Sequence, residues 1–444
     1  MAGYGRRVGR SAGIHDDLAA QAIVVSDGVH KAAIVSVDVL ALGIRICESI
    51  AACIASETDI PADAVMVCAT HTHSGPQFNI FATPHREATG SPERDLNWER
   101  ALPEKIARPV IEANSRLQPA SLAAASGLFP FGTNRRLMRT DGTVQLASNY
   151  AGVADDELKV LGIFEASRGD AIAFLLNYPC HGVVLCEDNL LYSRDWPGFA
   201  LDEIERRFSG SIALFAQGAS GNIDPRHRGS FDAACEAGRE AAGTAIRAVE
   251  SASRTRPGHM AMKRIPLTLK LRDLSAQLSL AHRNVAQTEA ALKNHPGVTG
   301  AQLKRLTDQH QLSVQELGAL QTLDEANRRD KRVDQSAGEL GTHMTALALG
   351  DIALVGVPGE LFTELGIAIK TNPVFQHTFV LGYCNDLAGY FPTREAYELG
   401  GYEVETSRIA AGSGELVVER ALSVLSGMRG ESAVSPQPQA KVLL

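Results

Sequence analysis

The chain is predicted to fold as an α/β protein, a mixed β-sheet core flanked by helices with a helical hairpin inserted at about 274–330. Two patterns carry that prediction. Short apolar runs alternate with stretches of helical periodicity through the first two-thirds of the 444 residues. Several of the runs end in a residue able to bind a metal or move a proton, followed by a strand-breaking Gly or Pro.

Taken in order, residues 23–25 and 32–37 are apolar runs that bracket Asp27-Gly28, a hairpin signal. Residues 44–56 and 98–117 read as helices, and 64–68 as a buried strand between them. Residues 161–164 and 171–176 form a second hairpin pattern. Residues 212–216 read as a buried strand leading into a loop at Gly221, and 233–251 as a helix. From Leu274 the apolar spacing turns helical, breaks at a turn over 294–297, and resumes through Leu320. Residues 344–349 and 352–357 pair across Gly350-Asp351 and deliver Glu360. A last helix is expected over 414–426. The chain reads as one domain over residues 1–428 with a mobile tail over 429–444.

Composition narrows the function classes. With 45% hydrophobic residues the chain can bury a large core, and a net charge of −8 leaves no electrostatic footprint for nucleic acid. The 7 cysteines, an odd number without CxxC spacing, argue against a disulfide framework. No apolar run is long enough to span a membrane, so no integral membrane association is expected. The basic residues near Met1 lack an apolar stretch behind them, so no signal peptide is visible and a cytoplasmic location is expected.

The chemistry concentrates in four fragments. His71-Thr72-His73-Ser74-Gly75-Pro76 follows the 64–68 strand, and strand alternation would point both imidazoles the same way. One could ligate a metal while the other handles protons. Asn177-Tyr178-Pro179-Cys180-His181-Gly182 ends a second run, and Val357-Pro358-Gly359-Glu360 places a carboxylate after a third. Residues 385–403 hold Tyr390 and Tyr402. One shared site explains four such strand ends better than four accidents do.

These fragments resemble the neutral/alkaline (non-lysosomal) ceramidase family. Gly13-Ile14-His15-Asp16-Asp17-Leu18, Val35-Ser36-Val37-Asp38, the His71 to Pro76 motif, Asn134-Arg135-Arg136, Cys180-His181-Gly182, Gly221-Asn222-Ile223-Asp224-Pro225, Pro358-Gly359-Glu360 and residues 390–403 occur in family order. The resemblance implies an amidase with one zinc ion per chain, held by His71, His181, Glu360 and Tyr390. It implies proton transfer by His73, substrate orientation by Arg135, and transition-state stabilisation by Tyr402. Tyrosine is an uncommon zinc ligand, but His71, His181 and Glu360 alone form a familiar two-His, one-Glu set. Asp195 matches a family polar position near the metal and is expected to hold a ligand imidazole by its other nitrogen.

Three departures matter. Asp224 stands where the ceramidases carry a serine implicated in catalysis, and Asn222 where they carry an acid, so no serine nucleophile carries over. Asp224 is left to orient Arg226 or a site histidine, to bind a substrate hydroxyl, or to close a turn. From the positions of the motifs, the family's opening strand and its C-terminal β-sandwich domain are expected to have no counterpart in these 444 residues, and the family N-terminus is expected to be truncated. With few aromatic residues and no amphipathic basic helix, a small, soluble amide, ester or lactone is expected as substrate ahead of ceramide itself. The alternatives are a true N-acyl lipid amidase, a non-catalytic binding member, and a metal-dependent lyase or isomerase. Homo-oligomerisation is left open.

Overall fold

The structure is a computed structural model that describes residues 1–77, 96–255, 258–293, 300–371 and 374–434. The first hairpin forms as expected. Ala20–Ser26 and Lys31–Val37 pair antiparallel across a turn closed by the Asp27 carboxylate, which accepts the amides of Val29 and His30. Val65–Ala69 adds in parallel, and the helices Ile44–Glu57 and Leu96–Ser115 join the same core.

Two larger sheets follow. One runs Ile212–Gln217, Ala171–Tyr178, Glu157–Glu165, Ala120–Leu128; the other runs Met260–Lys270, Glu339–Leu349, Ile352–Gly356, His377–Leu381, with Val333–Asp334 beside it. Period-two alternation assigns their faces. Leu122, Leu161, Leu175 and Leu214 from the first sheet share one cluster with Leu347, Leu354 and Phe379 from the second. The intervening residues Val160, Phe174 and Phe215 pack with Ala200, Leu201 and Ala241 of the helices Asp195–Arg207 and Phe231–Ser251. On the second sheet Met344, Val355 and Val380 pack with Leu365, Ile369, Val417 and Ala421 of Thr363–Lys370 and Ser413–Val434. The central strands of each sheet are therefore buried on both faces, and every fully buried Leu or Phe contributes roughly 1.5–3 kcal/mol.

Ser275–Lys293 and Ala301–Arg329 pack on each other through Leu274, Ala281 and Leu320. The last helix reaches Val434, well past the expected end, so residues 429–434 are helical rather than tail. The turn over 294–297 and residues 435–444 lie outside the described residues. Among the described residues no helix is long and apolar enough to cross a membrane.

Short ladders then bring distant turns together. Glu360–Leu361 runs parallel to Tyr390–Phe391 with Glu360 opposite Tyr390, and Thr72 bridges Gly182. Ile223–Pro225 pairs with Gly132–Met138, which carries Arg135.

Candidate active site

The two histidines of His71-Thr72-His73 converge, but not by strand alternation. The strand stops at Ala69, and His71 adopts a left-handed φ of 63°. A turn does the work instead. His71 N bonds to Val39 O at 3.1 Å and His73 N to Gly182 O at 3.2 Å, leaving the two Nε2 atoms 3.1 Å apart.

Backbone carbonyls fix two of the tautomers. His71 Nδ1 donates to Leu40 O at 2.7 Å and His181 Nδ1 to Ile223 O at 3.0 Å, so both Nε2 lone pairs face inward. Glu360 Oε2 lies 3.8 Å from His71 Nε2 and 3.6 Å from His181 Nε2. His71, His73 and His181 each offer a ring nitrogen, all within 4.8 Å of one another. His73 is the more exposed imidazole, with its ring edge-on to Tyr4 and a buried Nδ1 that has no partner among the described residues.

Charge on these groups suits a cation. Burial pushes His71 down to about 3, with His181 and Arg135 adding to the effect against the pull of Glu360. Burial likewise holds His73 well below its usual value, helped by His71, His181 and Arg135. Burial alone would raise the Glu360 carboxyl, but His181, His71 and Arg135 outweigh it and bring it to about 2. Near neutrality the cluster offers uncharged His71 and His73 imidazoles and a carboxylate, which is what zinc requires. Tetrahedral zinc with bonds of about 2.0–2.2 Å sets its ligands roughly 3.3–3.6 Å apart, close to the 3.8 and 3.6 Å that separate Glu360 Oε2 from the two imidazoles. The donor set fits the ion.

Arg135 organises the other wall. Its guanidinium donates to Glu403 Oε1 at 2.8 Å, Asp224 Oδ1 at 3.1 Å, Gly221 O at 2.9 Å and Tyr390 OH at 3.2 Å. The same Nη1 that donates to Asp224 also lies 3.3 Å from His181 Nε2. Burial works to discharge this arginine, but Tyr390, Asp224, Glu403 and Glu360 more than offset it. The Tyr390 and Tyr402 rings sit 6.0 Å apart, both within 5.8 Å of the Arg135 guanidinium, and Tyr402 is 44% exposed at the mouth.

Two expectations need correction. Asp195 holds no imidazole, because the His71 and His181 Nδ1 atoms are already taken by carbonyls. Its carboxylate accepts the amides of Val184, Leu185 and Trp196, and Trp196 Nε1 in turn bonds to His181 O. Asp224 orients Arg135 and Arg228 rather than Arg226, whose Nε bonds to Gly132 O. It also lies 4.0 Å from His181 Nδ1. Asn222 acts at one remove: its Oδ1 accepts Thr363 N and its amide donates to Glu364, tying the Gly221 loop to the segment after Glu360. The sequence reading also missed Tyr383, which hydrogen-bonds Glu360, and Glu403, which joins Arg135 to Arg136. Tyr383 and Asn385 have positive φ, a backbone signal that sequence spacing does not carry.

The fold and cluster define a class: α/β proteins with His and Glu donors gathered on turns at strand ends. Within it, this chain belongs to the neutral/alkaline non-lysosomal ceramidase family, whose N-terminal region matches residues 1–296. Glu360, Tyr390 and Tyr402 lie beyond that matched stretch. The neutral ceramidase of Pseudomonas aeruginosa is 26% identical over 452 aligned residues, covering 91% of this chain. The chain spans 66% of that relative's length. The neutral ceramidase of Mycobacterium tuberculosis is 25% identical over 267 residues, covering 54% of this chain and 40% of its own. The crystal structure of the Pseudomonas aeruginosa neutral ceramidase shares the fold, with a TM-score of 0.68 and 21% identity over 95% of this chain and 70% of its own. A ceramidase complexed with C2 matches similarly, with a TM-score of 0.69 and 20% identity over 97% of this chain and 73% of its own.

Proposed function

We propose that the chain is a zinc-dependent hydrolase that cleaves an amide, or a related ester or lactone, of a small substrate. The observation that carries this reading is the meeting of Glu360 Oε2 with the inward Nε2 atoms of His71 and His181 at 3.8 and 3.6 Å. His71, His181 and Glu360 would hold the ion and leave a position for water, with Tyr390 as an additional donor. Zinc held there would acidify a water molecule so that it can be deprotonated near neutral pH. His73, neutral and nearer solvent, takes a proton from the attacking water and returns it to the leaving group. Arg135 and Tyr402 donate hydrogen bonds to the developing oxyanion, worth a few kcal/mol per donor. Asp224 and Glu403 keep the Arg135 guanidinium aimed.

A second reading, cleavage of N-acyl lipids, is favoured by the rim of the site. Leu137, Met138 and Leu146 are 37%, 45% and 50% exposed, and their hairpin packs on the short helix Tyr402–Glu405. The names of the relatives point the same way.

Elemental mass spectrometry of the untagged protein tests the metal, with one zinc per chain expected. A panel of short N-acyl amides, esters, lactones and N-acyl sphingosine then tests the substrate. Turnover of short amides alone supports the first reading, and turnover confined to the lipid supports the second. A zinc-loaded chain inert towards all of them sinks both.

A further inference from the structure

Tyr383 touches two of the proposed donors at once. Its ring stacks on His71 with centroids 4.0 Å apart and planes 24° from parallel. Its hydroxyl donates to Glu360 Oε2 at 3.0 Å, the same oxygen that faces both imidazoles. That hydrogen is committed to a carboxylate, so Ser220 Oγ, 3.3 Å away, is the donor in its contact with the phenol. Both side chains are buried, Tyr383 at 1% and Ser220 at 0% exposure.

The backbone is bent to deliver this ring. Tyr383 has a φ of 52°, in the left-handed region that bulky residues avoid. Such strain persists only where the surroundings over-determine it. Here Tyr383 N bonds to Gly359 O at 3.1 Å, and Ala69 N bonds to Tyr383 O at 3.3 Å. Cys384 N and Asn385 N add bonds to Val357 O and Val67 O, both at 2.9 Å. The loop is stitched on one side to the strand that leads to His71, and on the other to the turn that leads to Glu360.

We propose that Tyr383 is a positioning residue that presets the Glu360 carboxylate and the His71 imidazole as one rigid pair of metal donors. The inference rests on the zinc reading above. A glutamate swings on several torsions, and the phenol removes that freedom for the oxygen that must face the ion. The His71 ring is held from two directions, by Leu40 O at Nδ1 and by the stacked phenol across its face.

Zinc affinity, read by competition with a chelating indicator, separates this role from mere packing. Tyr383→Phe keeps the stacked ring and deletes the hydroxyl, and is expected to weaken zinc binding roughly 10- to 100-fold. Ser220→Ala leaves the phenol in place and is expected to weaken binding less. It also serves as the test should Tyr383→Phe fold poorly. Affinity equal to the native chain's in Tyr383→Phe, or in Ser220→Ala where the first variant does not fold, overturns the proposal. A native chain that takes up no zinc overturns the metal reading beneath it as well, which distinguishes the two failures.

Discussion

Arg135 and Glu403, 268 residues apart in the chain, meet at 2.8 Å with both side chains buried. The second oxygen of Glu403 takes Arg136 at 2.7 Å, so one carboxylate bridges two adjacent guanidinium groups. Removing it leaves two arginines short of a buried partner. Glu403→Ala is expected to destabilise the fold by about 3–5 kcal/mol, the usual cost of breaking a buried pair from one side. Thermal or urea denaturation measures this, and a loss of only a few tenths would mean the pair is solvated.

The proposed division of labour among the histidines has a mutational form. Glu360→Ala and His181→Ala should each strip the metal. His73→Ala should keep the ion and lose roughly 100- to 10,000-fold in turnover, the usual scale of general acid–base catalysis. Metal content and kcat on the same preparations decide it. Loss of metal from His73→Ala would make the third imidazole a donor.

How far this was legible in the sequence depends on what each feature is made of. The hairpin at Asp27 and the strands around Leu175 and Leu354 announce themselves through apolar runs and turn chemistry. Met260–Lys270 does not, because its solvent-facing Lys263, Arg264 and Lys270 interrupt the apolar pattern. Gly132–Met138 is equally quiet, since its buried positions include Thr133, Asn134 and Arg135, held by hydrogen bonds rather than by hydrophobicity. At the site, motif order located His71, His181, Glu360 and Arg135, which the structure brings together. The carbonyl partners of the imidazoles, the anchoring of Asp195 on backbone amides and the contacts of Tyr383 depend on backbone paths that no spacing encodes.

Gly221 has no room for a side chain. A Cβ there would lie 2.7 Å from Glu360 O and 3.0 Å from Leu361 O, both backbone atoms that cannot swing aside. Gly221→Ala is expected to cost about 1–3 kcal/mol through overpacking and to lower zinc occupancy by shifting Glu360. Denaturation and metal analysis together check this; native occupancy would show that the segment yields without harm.

Acid should loosen the seam beside the long helix. Burial alone would raise the Asp330 carboxyl, but Arg332 and Arg408 outweigh it and hold it near 2, against about 3.8 when unfolded. Its folded value is depressed, so its contribution is complete above the unfolded value and fades as pH falls through the folded one. The loss should fall between about pH 4 and pH 2. Asp330→Asn should flatten the pH dependence of stability in that window, and an unchanged slope would assign the acid sensitivity elsewhere.

Three of the four proposed donors sit at positions 71, 181 and 360, each supplied by a different stretch of the chain. During synthesis the first two imidazoles emerge long before the carboxylate, and they are separated by loops whose closure costs entropy until the sheets have formed. An ion bound by all three therefore cannot template the early fold. Instead, its uptake would mark the end of folding, and a partly matured population would show up as a shortfall of bound metal before any loss of secondary structure.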